Sequence, residues 1–209
     1  VYGSQPGDGA AWAAEMEENL ARALQAEEDA GLPPDQRIPV DAVRAHLGRV
    51  ADIDDAGAAI RIHGDLHLSQ VIQTDDGWKV LDFEGEPARQ RDERATTSSG
   101  LRDVAGMLRS LHYVAAVGLE EWGDASADVT AMADAWERHN REAFLAGYHA
   151  VDGIEGLLPS APEDRAALLT AFELDKAVYE VLYELGHRPD LVTIPLTGIR
   201  RLLDQEVTS

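Results

Sequence analysis

The chain has 209 residues, of which 44% are hydrophobic, and a formal net charge of −21 at pH 7. This length suffices for one sizeable core. The acidic surplus argues against binding of nucleic acids, whose phosphate backbone needs basic residues, and against binding of anionic membranes. No apolar run is long enough to span a membrane, no cysteine is present and no signal peptide is recognisable, so we expect a single-domain cytoplasmic protein without disulfides or thiolate chemistry.

The amino-terminal segment is predicted to be helical after a flexible lead-in over residues 1–10. The first helix is indicated by an apolar residue at every fourth position, namely Trp12, Met16, Leu20 and Leu24. Its acidic residues are expected to form a solvated face: Glu15, Glu17, Glu18, Glu27, Glu28 and Asp29. A second helix is predicted from Asp41, with Val43, Leu47 and Val50 on its buried side.

A β-hairpin is predicted directly after a short strand and a polar loop. The strand is expected at residues 60–62 and leads into the sequence HGDLHLSQ at residues 63–70. Two runs rich in β-branched and aromatic residues then flank an Asp-Asp-Gly sequence at residues 75–77, which is typical of a hairpin turn. The polar loop therefore lies next to the open end of the hairpin.

The pairing within this hairpin depends on the length of the turn. A three-residue turn pairs Gln70 with Asp82, whereas a two-residue Asp-Gly turn pairs Val71 with Asp82. In both registers we expect Asp65, Gln70 and Asp82 to converge at the open end.

These three polar residues suit metal-assisted phosphoryl transfer. A hydroxyl that attacks a phosphate needs a carboxylate to orient it and to accept its proton, which is the role assigned to Asp65. A magnesium ion that bridges phosphates needs hard oxygen ligands, which the Gln70 amide and the Asp82 carboxylate can provide. His63 is interpreted as a brace for the loop.

After the hairpin, residues 89–100 have the polar composition of an exposed loop. A helix is predicted over residues 101–117, with Val104, Leu108 and Leu111 facing inward. Asp103 near its start can either cap this helix or fix the polar loop, and the sequence favours neither role over the other.

The carboxy-terminal half is predicted to contain two long helices and one shorter element. The first spans residues 126–148, and its spacing predicts a buried aromatic series: Met132, Trp136, Phe144 and Tyr148. The second begins with a capping box at residues 160–163, with Pro162 in the first turn, and closes near Gly186. The last element, residues 195–203, is expected to bury Leu196, Ile199 and Leu203.

The end of the second long helix carries two stripes, one aromatic and one acidic. Tyr179 and Tyr183 are one turn apart, as are Glu180 and Glu184, and Arg188 can pair with either glutamate. An aromatic face packs on a pyranose ring while carboxylates accept its hydroxyl protons, so the stripes are one candidate sugar site. Equally, the tyrosines can pack in the core beside solvated glutamates.

Several strings in this sequence resemble one kinase family. His63-Gly64-Asp65 with Gln70, and Asp82-Phe83-Glu84, resemble the catalytic loop and metal-binding segment of the aminoglycoside-phosphotransferase-like kinases, relatives of the protein kinases. Longer strings resemble the maltokinases and the related actinobacterial glucosamine kinases, at residues 63–70, 81–89, 101–110, 176–180 and 188–190. The resemblance covers about residues 60 to 203.

The resemblance implies both a fold and an activity. The fold is α+β and mainly helical, a protein-kinase-like carboxy-terminal lobe whose short β-hairpin carries the catalytic and metal-binding residues. The activity is transfer of the γ-phosphate of ATP to a hydroxyl of maltose or glucosamine, with Mg²⁺. Asp65 is then the catalytic base, and Gln70 and Asp82 bind the metal and the nucleotide. Sugar contacts are implied for Asp65, His67, Glu84, Tyr179, Glu180, Tyr183, Glu184 and Arg188.

Departures from the family leave the sugar and the nucleotide site open. Ser69 stands where the maltokinases are expected to have glycine, and Leu111-His112 replaces an aromatic-acidic pair. A kinase covers ATP with a glycine-rich hairpin and anchors the phosphates with a strand lysine. The two lysines here are Lys79, in the predicted hairpin, and Lys176, in a late helix, so neither lies where an amino-terminal lobe would place it. We therefore expect residues 1–209 to be a carboxy-terminal lobe without its amino-terminal lobe, and inactive by itself.

Two other functions are compatible with parts of the sequence. His63, Asp65 and His67 alternate along an extended stretch and could bind zinc on one face, as in a metal-dependent hydrolase. A kinase-like lobe without catalytic activity could also serve as an interaction module.

Overall fold

The computed structural model of this chain describes residues 3–83, 97–123 and 126–206. These residues form six helices, α1 (Gly9–Asp29), α2 (Val40–Ala51), α3 (Leu101–Trp122), α4 (Ala127–His149), α5 (Pro162–His187) and α6 (Thr193–Glu206). They also form five short strands, β1 (Gln5–Pro6), β2 (Ala58–Ile60), β3 (Val71–Thr74), β4 (Gly77–Val80) and β5 (Ser98–Ser99). The expectation of a mainly helical α+β protein is therefore confirmed. None of the helices within the described ranges is long and apolar enough to cross a membrane.

The chain divides into two compact units, and the expectation of a single domain stays a prediction. One unit combines Val1–Gly7 with Gly57–Leu158 and is called the hairpin unit here. The other combines Asp8–Ala56 with Pro159–Ser209 and is called the helical unit. Each unit is thus built from two separate stretches of the chain.

The first stretch of the hairpin unit is a strand where a flexible lead-in was expected. Strand β1 pairs antiparallel with β2, with Gln5 opposite Ala59, and β2 pairs on its other edge with β5, where Ala59 lies opposite Ser99. Helix α1 already begins at Gly9, and the Asp8 side chain accepts a hydrogen bond from the backbone N–H of Ala11 (2.9 Å). Strand pairing and the helix cap thus define the backbone from Gln5 onward.

The hairpin of β3 and β4 forms as predicted, but both predicted registers are wrong. Val71 pairs with Val80 and Thr74 with Gly77, so the turn consists of the two aspartates at residues 75–76. The Thr74 hydroxyl donates to the Gly77 carbonyl (2.8 Å), which closes this tighter turn. Gly77 adopts φ +110° and ends the turn rather than forming part of it.

Helix α3 confirms the predicted inward residues, whereas α4 contradicts part of the prediction. Val104, Leu108 and Leu111 are buried, and α3 continues to Trp122, beyond the expected end. On α4, however, Met132 is 71% exposed and Trp136 is also exposed. Within the hairpin unit α4 packs mainly on α3 and on the turn Ile154–Leu157, so the described elements leave much of its aromatic stripe uncovered.

The helical unit packs α1, α2, α5 and α6 around one core. Buried side chains predicted from the sequence are Trp12, Met16, Leu20, Val43, Leu47, Val50, Leu196 and Ile199. Leu24 and Leu203 are only half-buried, and Leu202 takes the inward position instead. The predicted capping box is not formed, because Ala161 is the N-cap of α5 without a side-chain cap, although Pro162 opens the helix as expected.

Glu27 contradicts the prediction that the acids of α1 are solvated. Its side chain is 1% exposed, and its Oε1 accepts a hydrogen bond from the backbone N–H of Ile38 (2.9 Å). Its Oε2 is buried without a hydrogen-bond partner among the described residues. Burial therefore raises the pKa of Glu27, against the smaller opposing effects of the Ile38 hydrogen bond and of Arg37 and Arg200.

We expect Glu27→Gln to stabilise the protein near pH 7 and to have little effect near pH 4. Because the pKa of Glu27 is raised in the folded state, the unfolded chain ionises first as the pH rises, and the folded state loses stability until its own carboxyl ionises. Glutamine is neutral throughout and avoids that loss. Urea unfolding of both proteins between pH 4 and pH 8 checks this. Glu28→Gln, at the exposed neighbour, is the control, and an equal effect of both substitutions would contradict the explanation.

Candidate active site

The polar loop at residues 63–70 is held by a single carboxylate of α3. The Asp103 Oδ2 atom accepts from the backbone N–H of His63 (2.7 Å), and Oδ1 accepts from the backbone N–H of Gly64 (2.8 Å). The N-cap of α3 is Gly100, which has no side-chain cap. Of the two roles open for Asp103, the structure therefore selects fixation of the loop. Gly64 adopts φ +85°, which lets two consecutive amides face one carboxylate.

Burial dominates the electrostatics around this carboxylate. Burial raises the pKa of Asp103, although the hydrogen bonds from the backbone N–H groups of His63 and Gly64 and, more weakly, the positive charge of Arg102 oppose the rise. The pKa of Tyr148 is also raised, by burial and then by the negative charge of Asp103. The loop anchor is thus a poorly solvated carboxyl whose main partners are backbone amides.

His63 braces the loop, as the sequence predicted. Its ring is buried and lies 5.0 Å from the ring of Phe83, centroid to centroid. The backbone N–H of Asp65 donates to Nδ1 (3.3 Å), so the ring proton lies on Nε2, which donates to the carbonyl of Leu81 (2.6 Å). Both ring nitrogens are therefore engaged by backbone groups, which does not fit the zinc ligand required by the hydrolase hypothesis.

Helix α3 also contacts the middle of the loop through a glycine. A Cβ atom placed on Gly106 would lie 2.5 Å from the carbonyl oxygen of Leu66, closer than real Cβ contacts allow. One turn later the Ser110 hydroxyl accepts from the backbone N–H of Leu68 (3.1 Å). The absence of a side chain at Gly106 therefore determines how closely the loop approaches the helix.

We expect Gly106→Ala to destabilise the hairpin unit by about 1–3 kcal/mol, because the added methyl group must push the backbone at Leu66 away from the helix. Gly118→Ala is the matched control on the same helix, since a Cβ there meets nothing within 4 Å. This control should be neutral or gain up to about 1 kcal/mol through helix propensity. Thermal and urea unfolding measure both, and equal effects would refute the steric explanation.

Gln70 and Asp82 meet although the register differs from both predictions. Counting outward from the hairpin places Gln70 opposite Leu81, whose N–H donates to the Gln70 carbonyl (2.8 Å). Asp82 then adopts φ +56°, the one positive φ of a non-glycine residue in the described ranges. This turn out of the extended conformation brings its Oδ2 atom to 3.2 Å from the Gln70 Nε2 donor. Such left-handed backbone costs on the order of 1 kcal/mol and is concentrated at functional sites.

The pair supplies oxygen ligands suited to magnesium. With the Gln70 nitrogen directed to Asp82, the Gln70 Oε1 and Asp82 Oδ1 atoms are the hard donors that Mg²⁺ prefers. Within the described parts of the chain, no group of three or more His, Cys, Asp or Glu side chains could hold a metal. Magnesium is commonly held by one or two protein oxygens, with phosphates and water as its other ligands, which matches the Gln70–Asp82 pair.

The catalytic candidate Asp65 lies in the same loop. Its carboxylate is partly exposed, and its Oδ2 is 4.0 Å from the Nε2 atom of His67, which is also partly exposed. Glu84, predicted to contact the sugar, lies outside the described residues, as does the rest of the string at residues 84–89. The loop brace at Leu81 and the Gln70–Asp82 contact thus join the loop of Asp65 to the end of the hairpin.

The predicted aromatic and acidic stripes occupy the end of α5, in the helical unit. The rings of Tyr179 and Tyr183 are stacked with centroids 6.5 Å apart, and His187 continues the stack 4.3 Å beyond Tyr183. The Lys176 ammonium lies 4.7 Å from the centre of the Tyr179 ring. Lys176 and His187 were missed as neighbours of the stripe, although their spacing of three and four residues from the tyrosines could have indicated them.

Arg188 selects one of the two glutamates. Its Nε and a terminal nitrogen donate to the two carboxylate oxygens of Glu184 at 2.9 and 2.6 Å, and its guanidinium lies 5.5 Å from the centre of the Tyr183 ring. Glu184 is buried, whereas Tyr183 is 41% exposed. The alternative of buried tyrosines beside solvated glutamates is therefore wrong for this pair.

Comparison with curated proteins gives relatives named glucosamine kinase. The chain is 30% identical to a glucosamine kinase of Streptacidiphilus jiangxiensis over 207 residues, which cover 96% of this chain and 44% of that protein. It is 33% identical to a glucosamine kinase of Mycolicibacterium smegmatis over 170 residues, or 81% of this chain and 40% of the relative. No family model matches the chain. The chain spans less than half the length of the curated relatives it matches.

Solved structures give the same result for the fold. A glucosamine kinase in crystal form A superposes with a TM-score of 0.79 at 27% identity, covering 99% of this chain and 50% of that one. A glucosamine kinase in complex with glucosamine, ADP and inorganic phosphate gives 0.79 at 26% identity, over 96% of this chain and 47% of that one. Over nearly its whole length, the chain is thus similar in sequence and in fold to about half of a glucosamine kinase.

Proposed function

We propose that this chain is the catalytic portion, the protein-kinase-like carboxy-terminal lobe, of an ATP-dependent glucosamine kinase. The observation that carries the proposal is the anchored loop that presents Asp65 and is joined by His63 to the hairpin end with the Gln70–Asp82 pair. The similarity to glucosamine kinases, one of them solved with glucosamine and ADP, supports a sugar as acceptor and a nucleotide as donor.

The reaction assigned to this site is transfer of the terminal phosphate of ATP to a sugar hydroxyl. Asp65 orients the hydroxyl and accepts its proton as the sugar oxygen bonds to the γ-phosphorus. The bond between that phosphorus and the β–γ bridging oxygen breaks, and ADP leaves with its electron pair. The loop contributes chiefly by fixing Asp65, since positioning and charge neutralisation provide most of the rate enhancement in phosphoryl transfer.

Gln70 and Asp82 are assigned to a magnesium ion and, through it, to the nucleotide. The ion neutralises charge on the phosphates when bound. The chain's own part is to hold two oxygen ligands at the end of the hairpin, with Asp82 in its left-handed conformation. Preserving this backbone conformation requires the contacts that brace Leu81 and Phe83 against His63.

As the family resemblance implies, sugar contacts are proposed for Asp65, His67 and Glu84, and separately for residues at the end of α5. On α5, Tyr179, Tyr183 and Glu180 offer an aromatic face and a half-buried carboxylate. Arg188 offers hydrogen-bond donors to the sugar. Glu184 holds the Arg188 guanidinium in place, so we assign these two side chains to the sugar as a pair. A carboxylate-rich surface suits the ammonium group of glucosamine better than neutral maltose. The names of the relatives also support glucosamine over maltose.

The proposal is tested by ADP release from full-length protein with ATP, magnesium and a panel of sugars. Glucosamine is expected to stimulate release strongly, with N-acetylglucosamine as the matched sugar that lacks the ammonium charge. Stimulation by maltose and not by glucosamine would favour a maltokinase. Absence of both ATP binding and ADP release would favour the interaction module, and stoichiometric zinc in purified protein would revive the hydrolase.

A further inference from the structure

An open apolar groove lies between α3 and α4, within the hairpin unit. Its volume is about 400 Å³, and none of its lining residues belongs to the candidate active site. Two helical stripes line it: Val114, Gly118 and Trp122 on α3, and Val129, Met132 and Trp136 on α4. The spacing is four residues on α3, and three then four on α4, so each stripe stays on one face of its helix.

Four large apolar side chains that line this groove are exposed, as are others on the β3–β4 hairpin. Trp122 is 74% exposed, and Met132, Trp136 and Val114 are also exposed. A contiguous apolar surface of this kind marks an interaction site, because water contact with such side chains is unfavourable. Exposed methionine adapts its shape to a partner more readily than a branched side chain does.

The shape of the groove fits a helix. Two neighbouring helices with facing apolar stripes form the bed used in helix-in-groove recognition, where a partner helix inserts side chains at every third or fourth position. At Gly118 an added Cβ would meet nothing within 4 Å. The floor of the groove therefore has room for an inserted side chain.

The charge around the groove determines which kind of helix fits. Residues 114–123 and 126–136 contain no lysine or arginine, and their charged side chains are all acidic: Glu120, Glu121, Asp128 and Asp134. Glu120, Glu121 and Asp128 are exposed. Such a rim attracts a cationic partner and repels an anionic one. A second copy of this chain, with its net charge of −21, is disfavoured on the same ground, as is an anionic lipid surface.

We propose that the groove between α3 and α4 binds a basic amphipathic helix of a partner protein. The apolar face of that helix packs between Trp122, Met132 and Trp136. Its lysine or arginine residues lie over the acidic rim. This binding is independent of the phosphoryl-transfer site and of the proposed kinase activity.

The probe for this proposal is a synthetic helical peptide of about 20 residues, free of tryptophan, with leucine on one face and lysine elsewhere. Its counterpart keeps the leucines and replaces every lysine by glutamate. We expect the lysine peptide to bind the 209-residue chain at micromolar concentrations and to change the fluorescence of Trp122 and Trp136. Binding should weaken roughly tenfold in high salt, because the rim contribution is screened. The glutamate peptide should not bind.

Two substitutions and one matched control locate the binding. Met132→Lys, at a 71% exposed position, and Gly118→Leu, which fills open space on the groove floor, should each weaken peptide binding at least about tenfold. Ala131→Lys adds the same charge at the exposed neighbour outside the lining and should change affinity by no more than about twofold. Circular dichroism confirms that each variant is folded.

Four outcomes would overturn the proposal. They are equal binding of the lysine and glutamate peptides, equal effects of Met132→Lys and Ala131→Lys, and sedimentation showing a dimer that Met132→Lys dissociates. The fourth is binding to phosphatidylserine vesicles that Met132→Lys abolishes while the lysine peptide remains unbound.

Discussion

Asp65→Asn is expected to lower kcat for glucosamine-dependent ADP release by about 10²–10⁴ while leaving the dissociation constant of ATP nearly unchanged. Asparagine keeps the size of the side chain and can still accept a hydrogen bond, but its amide is too weakly basic to take the proton of the attacking hydroxyl. The loop should stay folded, because its anchors run through the backbone N–H groups and the His63 ring rather than through the Asp65 carboxylate. Steady-state kinetics in full-length protein, with a separate ATP titration, measure both quantities.

The matched control for this substitution is Asp76→Asn. It makes the same chemical change in the exposed turn of the hairpin, at the end away from Gln70. We expect kcat to remain within about twofold of the unsubstituted protein. An Asp65→Asn protein that retains full kcat would remove Asp65 from the role of base, and equal losses in both variants would point to charge rather than to proton transfer.

Asp103→Ala is expected to destabilise the hairpin unit by about 3 kcal/mol and to reduce kcat as well. Two backbone N–H groups, those of His63 and Gly64, lose their acceptor in a poorly solvated place, and each lost hydrogen bond costs about 1.5 kcal/mol or more. The loop that carries Asp65 is then held mainly by His63. Urea unfolding measures the stability, and amide hydrogen exchange at His63 and Gly64 reports the loss locally.

The stability of Asp103→Asn should fall between that of the unsubstituted protein and that of Asp103→Ala, since the carboxamide oxygen can still accept one of the two hydrogen bonds. Glu120→Ala, which removes an exposed acid from the same helix, serves as the control and should stay within about 0.5 kcal/mol. If exchange at His63 and Gly64 is unchanged in Asp103→Ala, then the carboxylate does not hold the loop in solution.

The proposed chemistry of the site comes from the sequence and stays a prediction, whereas the geometry of the site could be predicted only in part. Asp65, Gln70 and Asp82 could be singled out because phosphoryl transfer limits the side chains that can serve as base and metal ligand. The register was wrong because the turn could be built from two or three residues, and side-chain alternation alone does not decide between them. The contact of Gln70 with Asp82 survives the change because Asp82 leaves the extended conformation, which no sequence pattern indicated.

Burial was the property that local patterns predicted least well. Spacing on α4 correctly predicted an apolar face, but whether another element covers that face depends on the rest of the fold, and Met132 remains exposed. Glu27 shows the converse, since an acidic residue within an acidic helix is buried where the chain returns through Ile38. The sequence likewise left open which glutamate pairs with Arg188, and the structure shows that it is Glu184.

The alternation of the chain between the two units sets an order of events during synthesis. Strand β1 is made before its pairing partner β2, which follows only after α1 and α2 have been made. The β1–β2 ladder must therefore close a long loop, at an entropic cost that grows only slowly with loop length. Both units need later parts of the chain, since the hairpin unit extends to Leu158 and the helical unit needs Pro159–Ser209. On the ribosome, the hairpin unit is thus expected to acquire its native contacts first, whereas α1 and α2 wait until α5 and α6 have been made.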